Sequence, residues 1–199
     1  MATAIDKIKL AKAAASSLGQ ASTGAKNNVL KKIAELLPVR AADIIAANKL
    51  DLDRGVETGL AAGLMDRLTL NETRIQALAS AVLDLVGLPD PVGDVVRGRT
   101  LPNGLKLSQI RVPLGVIGAI YEARPNVTID IAALAIKAGN AVALRGGTAA
   151  EHTNMVLVAV LQEALASVGL PADAVQTVDD FGRQGAVEMM QARGILQQQ

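Results

Sequence analysis

The sequence contains no cysteine, no tryptophan and a single histidine, His152. Without cysteine these residues can form no disulfide, no thiolate metal site and no cysteine nucleophile. One histidine cannot build a multi-histidine metal centre. Aromatic side chains are nearly absent as well: Tyr121 and Phe181 are the only two. A base-stacking platform for single-stranded nucleic acid therefore has almost nothing to be made of. Nor is there an excess of one charge: 20 Lys and Arg against 19 Asp and Glu leave a formal +1. No electrostatic pull toward nucleic acid or an anionic membrane follows from that balance. No charge-free run reaches the ~18 residues of a membrane helix. The first residues mix Asp6, Lys7 and Lys9 with alanines, which is not the apolar core of a signal peptide. These absences point to a soluble, cytoplasmic protein with no nucleic-acid or membrane partner.

What is present is a globular composition. Half of the residues are hydrophobic, and a chain of this size buries a substantial core as one domain or a little more. Residues 1–90 read as helical. Val29, Leu30, Ile33, Leu36 and Leu37 share a helical face that Pro38 ends, and Ala41 to Leu50 suggests another helix with Ile44 and Ile45 inward. Asn71 is placed as an N-cap, with Leu70 and Ile75 set for a hydrophobic staple. Ile75, Leu78, Val82 and Val86 carry that helix to Gly87. The stretch from Leu52 to Asp66 resists assignment.

Residues 91–112 change character. Val95-Val96 and the spaced Leu105, Leu107, Ile110 and Val112 suggest strands, and Asn103-Gly104 between them is a hairpin signal because both residue types tolerate positive φ. Such a hairpin serves as an ordinary surface element or as an arm that pairs with another subunit. From residue 113 to 199 strand and helix alternate. Val116–Tyr121 reads as a strand buried on both faces, Val127–Ala138 as a helix closed by Gly139, and Ala141–Leu144 as a second buried strand. Helix Ala150–Val168, strand Val175–Val178 and helix Phe181–Arg193 follow. This predicts an α/β fold with a parallel βαβαβ core, in which ligands bind beyond the carboxyl ends of the strands.

Three loops then meet at that edge. The first is Tyr121-Glu122-Ala123-Arg124-Pro125-Asn126-Val127-Thr128. Asn126 is either the N-cap of the next helix or a fixed neutral donor to a developing oxyanion. Arg124 offers a planar donor fork for phosphate or carboxylate, or else a salt bridge to Glu122. The second loop is Arg145-Gly146-Gly147-Thr148. Its glycines allow a close ligand approach or only a tight turn, and Arg145 could meet a 2′-phosphate, favouring NADP over NAD. The third, Asp179 to Gly185, carries Gly182 and Gly185 at a spacing that suits a nucleotide pocket. There is no GxGxxG after the first two strands and no GxxxxGK[ST], so neither a standard Rossmann pyrophosphate site nor a P-loop is supported. His152 reads most simply as a surface residue.

The runs Arg111-Val112-Pro113-Leu114-Gly115-Val116-Ile117-Gly118, Tyr121 to Thr128, Gly139-Asn140-Ala141-Val142 and Leu144-Arg145-Gly146-Gly147 together resemble the γ-glutamyl phosphate reductase (glutamate-5-semialdehyde dehydrogenase) family of the aldehyde dehydrogenase superfamily. Asp66-Arg67-Leu68, Asp90-Pro91-Val92-Gly93 and Gly169-Leu170-Pro171-Ala172 fit the same family. The resemblance runs from the first helix to about Gly194. It implies an aldehyde-dehydrogenase-like nucleotide-binding domain. Residues 1–90 would be its helical segment, 91–112 a β-hairpin oligomerisation arm and 113–199 the NADP-binding core.

The resemblance also implies NADPH-dependent reduction of γ-glutamyl phosphate to glutamate 5-semialdehyde with release of phosphate, in proline biosynthesis. It further implies homo-oligomers in the full-length family and glutamate 5-kinase as a pathway partner. Asn126 matches the oxyanion-stabilising asparagine. Ala123, Arg124, Pro125, Arg145, Gly146, Gly147, Thr148, Gly182 and Gly185 fall in the loops expected to hold the cofactor. The family continues past the Arg193-Gly194 region into a catalytic domain that holds the nucleophilic cysteine. This sequence ends Ile195-Leu196-Gln197-Gln198-Gln199, so the expectation is a truncated cofactor domain, inactive alone. The alternative is a non-catalytic NADP-binding or self-associating module.

Overall fold

The computed structural model describes residues 3–195; the Gln197-Gln198-Gln199 run lies outside them. Helix α1 (Ala4–Gly19) begins with a capping box: Thr3 Oγ1 accepts from Asp6 N–H at 3.2 Å, and Asp6 Oδ2 accepts from Thr3 N–H at 3.0 Å. Helix α2 (Thr23–Val39) buries the predicted face of Val29, Leu30, Ile33, Leu36 and Leu37, and Pro38 sits in its last turn. Helix α3 (Ala41–Glu57) runs well past Leu50, and the short α4 (Ala62–Leu68) takes up part of the unassigned stretch. In α5 (Glu72–Val86) the cap is Asn71, whose side chain accepts from Arg74 N–H at 2.8 Å. Leu70 and Ile75 flank it, both buried, as a staple requires.

Strands β1 (Val95–Thr100) and β2 (Lys106–Ile110) form the antiparallel hairpin, with every residue exposed. Its turn departs from the two-residue type the Asn-Gly pair suggests. Among non-glycine described residues none has positive φ, so Asn103 does not, while Gly104 has φ +86°. Gly104 N–H donates to Leu101 O at 2.9 Å and Leu101 N–H to Leu105 O at 2.8 Å. This is a three-residue loop in which Pro102 opens a tight turn and Gly104 makes the left-handed step.

Strands β3 (Val116–Ile120), β4 (Ala141–Arg145) and β5 (Val175–Thr177) form a parallel sheet in the order β3-β4-β5. The connecting helices α6 (Pro125–Lys137) and α7 (Glu151–Ser167) pack on one face of it, and α1 packs on the other against β4 and β5. Helices α2, α3 and α5 pack outside α6 and α7, and α8 (Gly182–Gln191) lies by α1. One hydrophobic cluster joins these layers, from Ile8 and Leu18 through Val142 and Leu144 to Leu157 and Leu161.

The sequence reading of β3 as buried on both faces is corrected here. β3 is an edge strand with only Val116 buried, and Ile120 is 50% exposed. A continuous apolar run reports what a strand could bury, not whether neighbours cover it. The central β4 is the doubly covered strand.

Two buried lysines tie the stretch before the hairpin to this body. Lys26 Nζ lies 2.6 Å from Asp90 Oδ2, and Lys137 Nζ donates to Asn27 Oδ1 at 2.7 Å and to Val86 O at 3.3 Å. Burial pushes the Asp90 carboxyl up, but Lys26, Thr23 and the Val92 N–H outweigh it and hold Asp90 below its ordinary value.

Candidate active site

Each parallel strand ends in one of the three predicted loops, and side chains from α6 and α7 stitch them together. Tyr121, just past β3, shares a 2.7 Å hydrogen bond with Thr128 Oγ1. Thr128 in turn donates to Asn154 Oδ1 at 2.8 Å, and Asn154 Nδ2 donates to Asp179 Oδ2 at 3.1 Å. This chain of bonds runs from the end of β3 through α6 and α7 to the end of β5. Thr128, Asn154 and Asp179 are buried. Burial raises the Tyr121 phenol above its ordinary value. Burial also pushes the Asp179 carboxyl up to about 6, although Asn154, Thr177, the Gly146 N–H and the Arg145 charge all favour its ionised form.

The glycines of the second and third loops are used by protein atoms. A Cβ on Gly146 would overlap the Asn154 amide, and one on Gly147 would lie 2.9 Å from Ala123 N. A Cβ on Gly185 would lie 2.7 Å from Val178 O. Gly182 differs: nothing stands within 4 Å of its Cβ position, and its φ of +54° is the requirement. Thr148 begins a 3-10 turn, Thr148–Ala150, whose Thr148 carbonyl accepts from Arg54.

Asn126 is not an N-cap. Helix α6 starts at Pro125 with Arg124 as its cap residue, so Asn126 falls in the first turn. Proline at the first helical position sets φ in advance, which moves the start ahead of asparagine. Asn126 Nδ2 instead points toward Asp130 Oδ2, 3.5 Å away and one turn on. The Arg124 side chain makes no hydrogen bond or ion pair among the described residues, and none to Glu122; only its backbone N–H reaches Glu122 O, at 2.7 Å.

The loops of Arg124 and Arg145 abut where Gly147 packs on Ala123, but the two arginines do not line one cleft. Arg124 and Asn126 line a cleft of about 560 Å³ between α4–α5 and the start of α6, with Asp130, Arg67 and Arg74. Arg145 lies outside this cleft, at the end of β4, with its Nε buried and without a hydrogen-bond partner. Asp179 Oδ1 is likewise buried and unpartnered. Buried donors and acceptors are normally paired, and here the Arg145 charge favours the ionised form of Asp179 across this loop edge.

His152 is less plain than the sequence suggested. Its ring Nδ1 lies 2.8 Å from Oδ1 of the fully buried Asp51. Asp51 also accepts from Thr153 N–H at 2.8 Å and Thr153 Oγ1 at 2.6 Å, and so caps α7 from across the interface with α3. Sequence reasoning missed Asp51, Thr128, Asn154 and Asp130. The last had a signal: it stands four residues after Asn126, one turn along the same helix. Among the described residues no group of three or more His, Cys, Asp or Glu could hold a metal ion, and no helix is long and apolar enough to cross a membrane.

This architecture and its loop edge are those of the aldehyde dehydrogenase family, whose model matches residues 2–196, and the chain belongs to that family. Within it, the chain is similar to γ-glutamyl phosphate reductases. It is 62% identical over 191 residues to that of Leifsonia xyli subsp. xyli, and 58% identical over 189 residues to that of Clavibacter michiganensis subsp. michiganensis. These alignments cover 96% and 95% of this chain but 45% and 44% of those proteins. The solved γ-glutamyl phosphate reductase of Thermotoga maritima superposes with a TM-score of 0.95 at 38% identity, covering 98% of this chain and 47% of that one. The Saccharomyces cerevisiae enzyme gives 0.81 at 34% identity, with 90% and 47% covered. The chain thus spans less than half the length of these relatives, and matches their amino-terminal part.

Proposed function

We propose that this chain is the NADP-binding portion of a γ-glutamyl phosphate reductase, acting in proline biosynthesis in the cytoplasm. The whole reaction is NADPH-dependent reduction of γ-glutamyl phosphate to glutamate 5-semialdehyde with release of phosphate. The observation that carries this reading is the 62% identity to an enzyme of that name across 96% of the chain. Residues 113–199 serve as the cofactor core, 1–90 as its helical support and 91–112 as an arm for homo-oligomers. Glutamate 5-kinase would supply the substrate.

When bound, NADPH supplies the hydride. The chain's own residues bind and orient. Arg145, with its unpartnered Nε, holds an anionic group of the nucleotide, which a 2′-phosphate suits better than a hydroxyl. Ala123, Pro125, Gly146, Gly147, Thr148, Gly182 and Gly185 shape the loops around it. Asn126, in the first turn of α6 and lining the cleft, directs a neutral amide donor at the oxygen that gains charge. The sequence holds no cysteine, so covalent attack on the acyl phosphate is outside its own residues.

Fluorescence titration with NADPH tests the reading. Saturable binding, stronger for NADPH than for NADH and weakened by Arg145→Ala, is expected; no binding at millimolar cofactor overturns it. The second reading is a self-associating module. It is favoured by the exposed Val96, Leu107, Ile110 and Val112 on and beside the hairpin. Sedimentation that shows a dimer lost on Leu107→Ser would support it.

A further inference from the structure

The cleft between α4–α5 and α6 holds charges that the protein itself leaves uncompensated. Arg67 and Arg124 line it, and neither guanidinium has a hydrogen-bond or ion-pair partner among the described residues. The third arginine, Arg74, is already committed: it binds Asp66 Oδ1 at 2.7 Å, Thr69 O at 2.8 Å and the Asp66 carbonyl. Asp130, half-buried in the second turn of α6, lines the same cleft. Among the described residues its hydrogen-bond partner is the Asn126 amide at a long 3.5 Å, and no lysine or arginine is paired with it. Burial raises its carboxyl above the ordinary value, and no cation offsets that shift. With Asp66 and Arg74 paired to each other, the cleft presents, among the described residues, two unpaired, solvent-exposed guanidiniums and one unpaired, half-buried carboxylate. A simple anion would leave Asp130 unmatched, and a simple cation would leave both guanidiniums unmatched. A zwitterion with one further anionic group matches all three.

Resting on the acyl-phosphate reading above, we propose that this cleft selects the amino-acid end of the substrate. Asp130 receives an α-ammonium group, while Arg67 and Arg124 divide the two anionic groups between them. Planar guanidiniums suit both carboxylate and phosphoryl oxygens. Arg124 stands two residues from Asn126, so it takes the anion nearer the reacting carbonyl, and Arg67 on α4 takes the α-carboxylate. Asp130 and Arg67 are then specificity-determining residues: they distinguish an α-amino acid from a plain dicarboxylate of the same length.

The test compares two probes on this chain, L-glutamate and glutarate, which share both carboxylates and differ by the ammonium group. Binding is followed by amide chemical-shift titration, with shifts expected in residues 124–130 and 66–74. L-Glutamate is expected to bind more tightly than glutarate. Asp130→Asn should abolish that difference by weakening L-glutamate several-fold while leaving glutarate unchanged or tighter. Arg67→Gln should weaken both by about tenfold, the loss of one charge-assisted pair. Both positions are open to solvent on one side, and an unchanged thermal midpoint establishes that each variant is folded. Equal affinity of the wild-type chain for the two probes, or no saturable shift in the tens-of-millimolar range, overturns the proposal. So does an Asp130→Asn effect that is the same for both. The NADPH titration is independent: cofactor binding without amino-acid discrimination sinks this inference and leaves the reductase reading standing. Discrimination without cofactor binding overturns the reductase reading and with it the substrate assignment, leaving only an α-amino-acid-binding cleft.

Discussion

The Asn154 amide fills the space that a side chain on Gly146 would need, so the two positions exclude each other. Asn154 is held there from both ends, accepting from Thr128 at 2.8 Å and donating to Asp179 at 3.1 Å. It is not free to step aside. Gly146→Ala should therefore cost about 1–3 kcal/mol, the range for overpacking a filled interior. Urea denaturation with an unchanged slope would measure it. A change below about 0.5 kcal/mol would mean that the network relaxes without loss.

Two asparagines make a sharper comparison. Asn71 caps α5 through its side chain, whereas Asn126 sits inside the first turn of α6 and caps nothing. Asn71→Ala is expected to lower stability by about 1 kcal/mol, and Asn126→Ala to leave it within about 0.5 kcal/mol. Paired thermal melts decide this. An equal loss at both positions would assign Asn126 a structural role and weaken the case for it as an oxyanion donor.

That contrast also shows what the sequence could and could not reveal. Helix faces such as Val29 to Leu37, and the alternation from Val116 to Phe181, were legible because periodicity and glycine stops are local signals. The start of α6 was misread by two residues because proline and asparagine both mark helix starts, and only the backbone shows which one prevails. The exposure of Ile120 was illegible for another reason: burial depends on what lies beside a strand, and β3 has a neighbour on one side only. Arg124 and Arg145 looked equivalent in sequence because each follows a strand. The packing of α5 on α6 gives Arg124 a cleft of its own, and such long-range contacts leave no mark on spacing.

Asp51 predicts a stability defect far from the loops. It is fully buried in α3, and its oxygens satisfy the first N–H groups of α7 together with the side chains of His152, Thr153 and Arg54. Removing it leaves a buried helix end and a threonine hydroxyl without partners. Asp51→Ala should cost about 2–4 kcal/mol, and Asp51→Asn less, because the amide oxygen still accepts. Hydrogen exchange would localise the defect to the start of α7. Protection there equal to the wild type would refute the cross-element cap.

Asp179 gives a dependence on pH whose direction is fixed. Its folded-state value is raised to about 6 from the ordinary 3.8. Below the ordinary value the carboxyl is protonated in both states and carries no cost. As pH rises, the unfolded chain loses the proton first, so this group withdraws stability progressively until it is ionised in the folded chain too. The withdrawal over that window is on the order of 3 kcal/mol. Asp90 and Asp6, held below their ordinary values, act in the opposite sense, so the wild-type profile alone would blur the effect. Asp179→Asn removes only this titration and leaves theirs in place. The variant's stability relative to the wild type should therefore climb between pH 4 and pH 7 and be level outside that window. Urea midpoints for both proteins at unit steps of pH would show the climb, and parallel profiles would mean that Asp179 titrates in the folded chain as it does in the unfolded one.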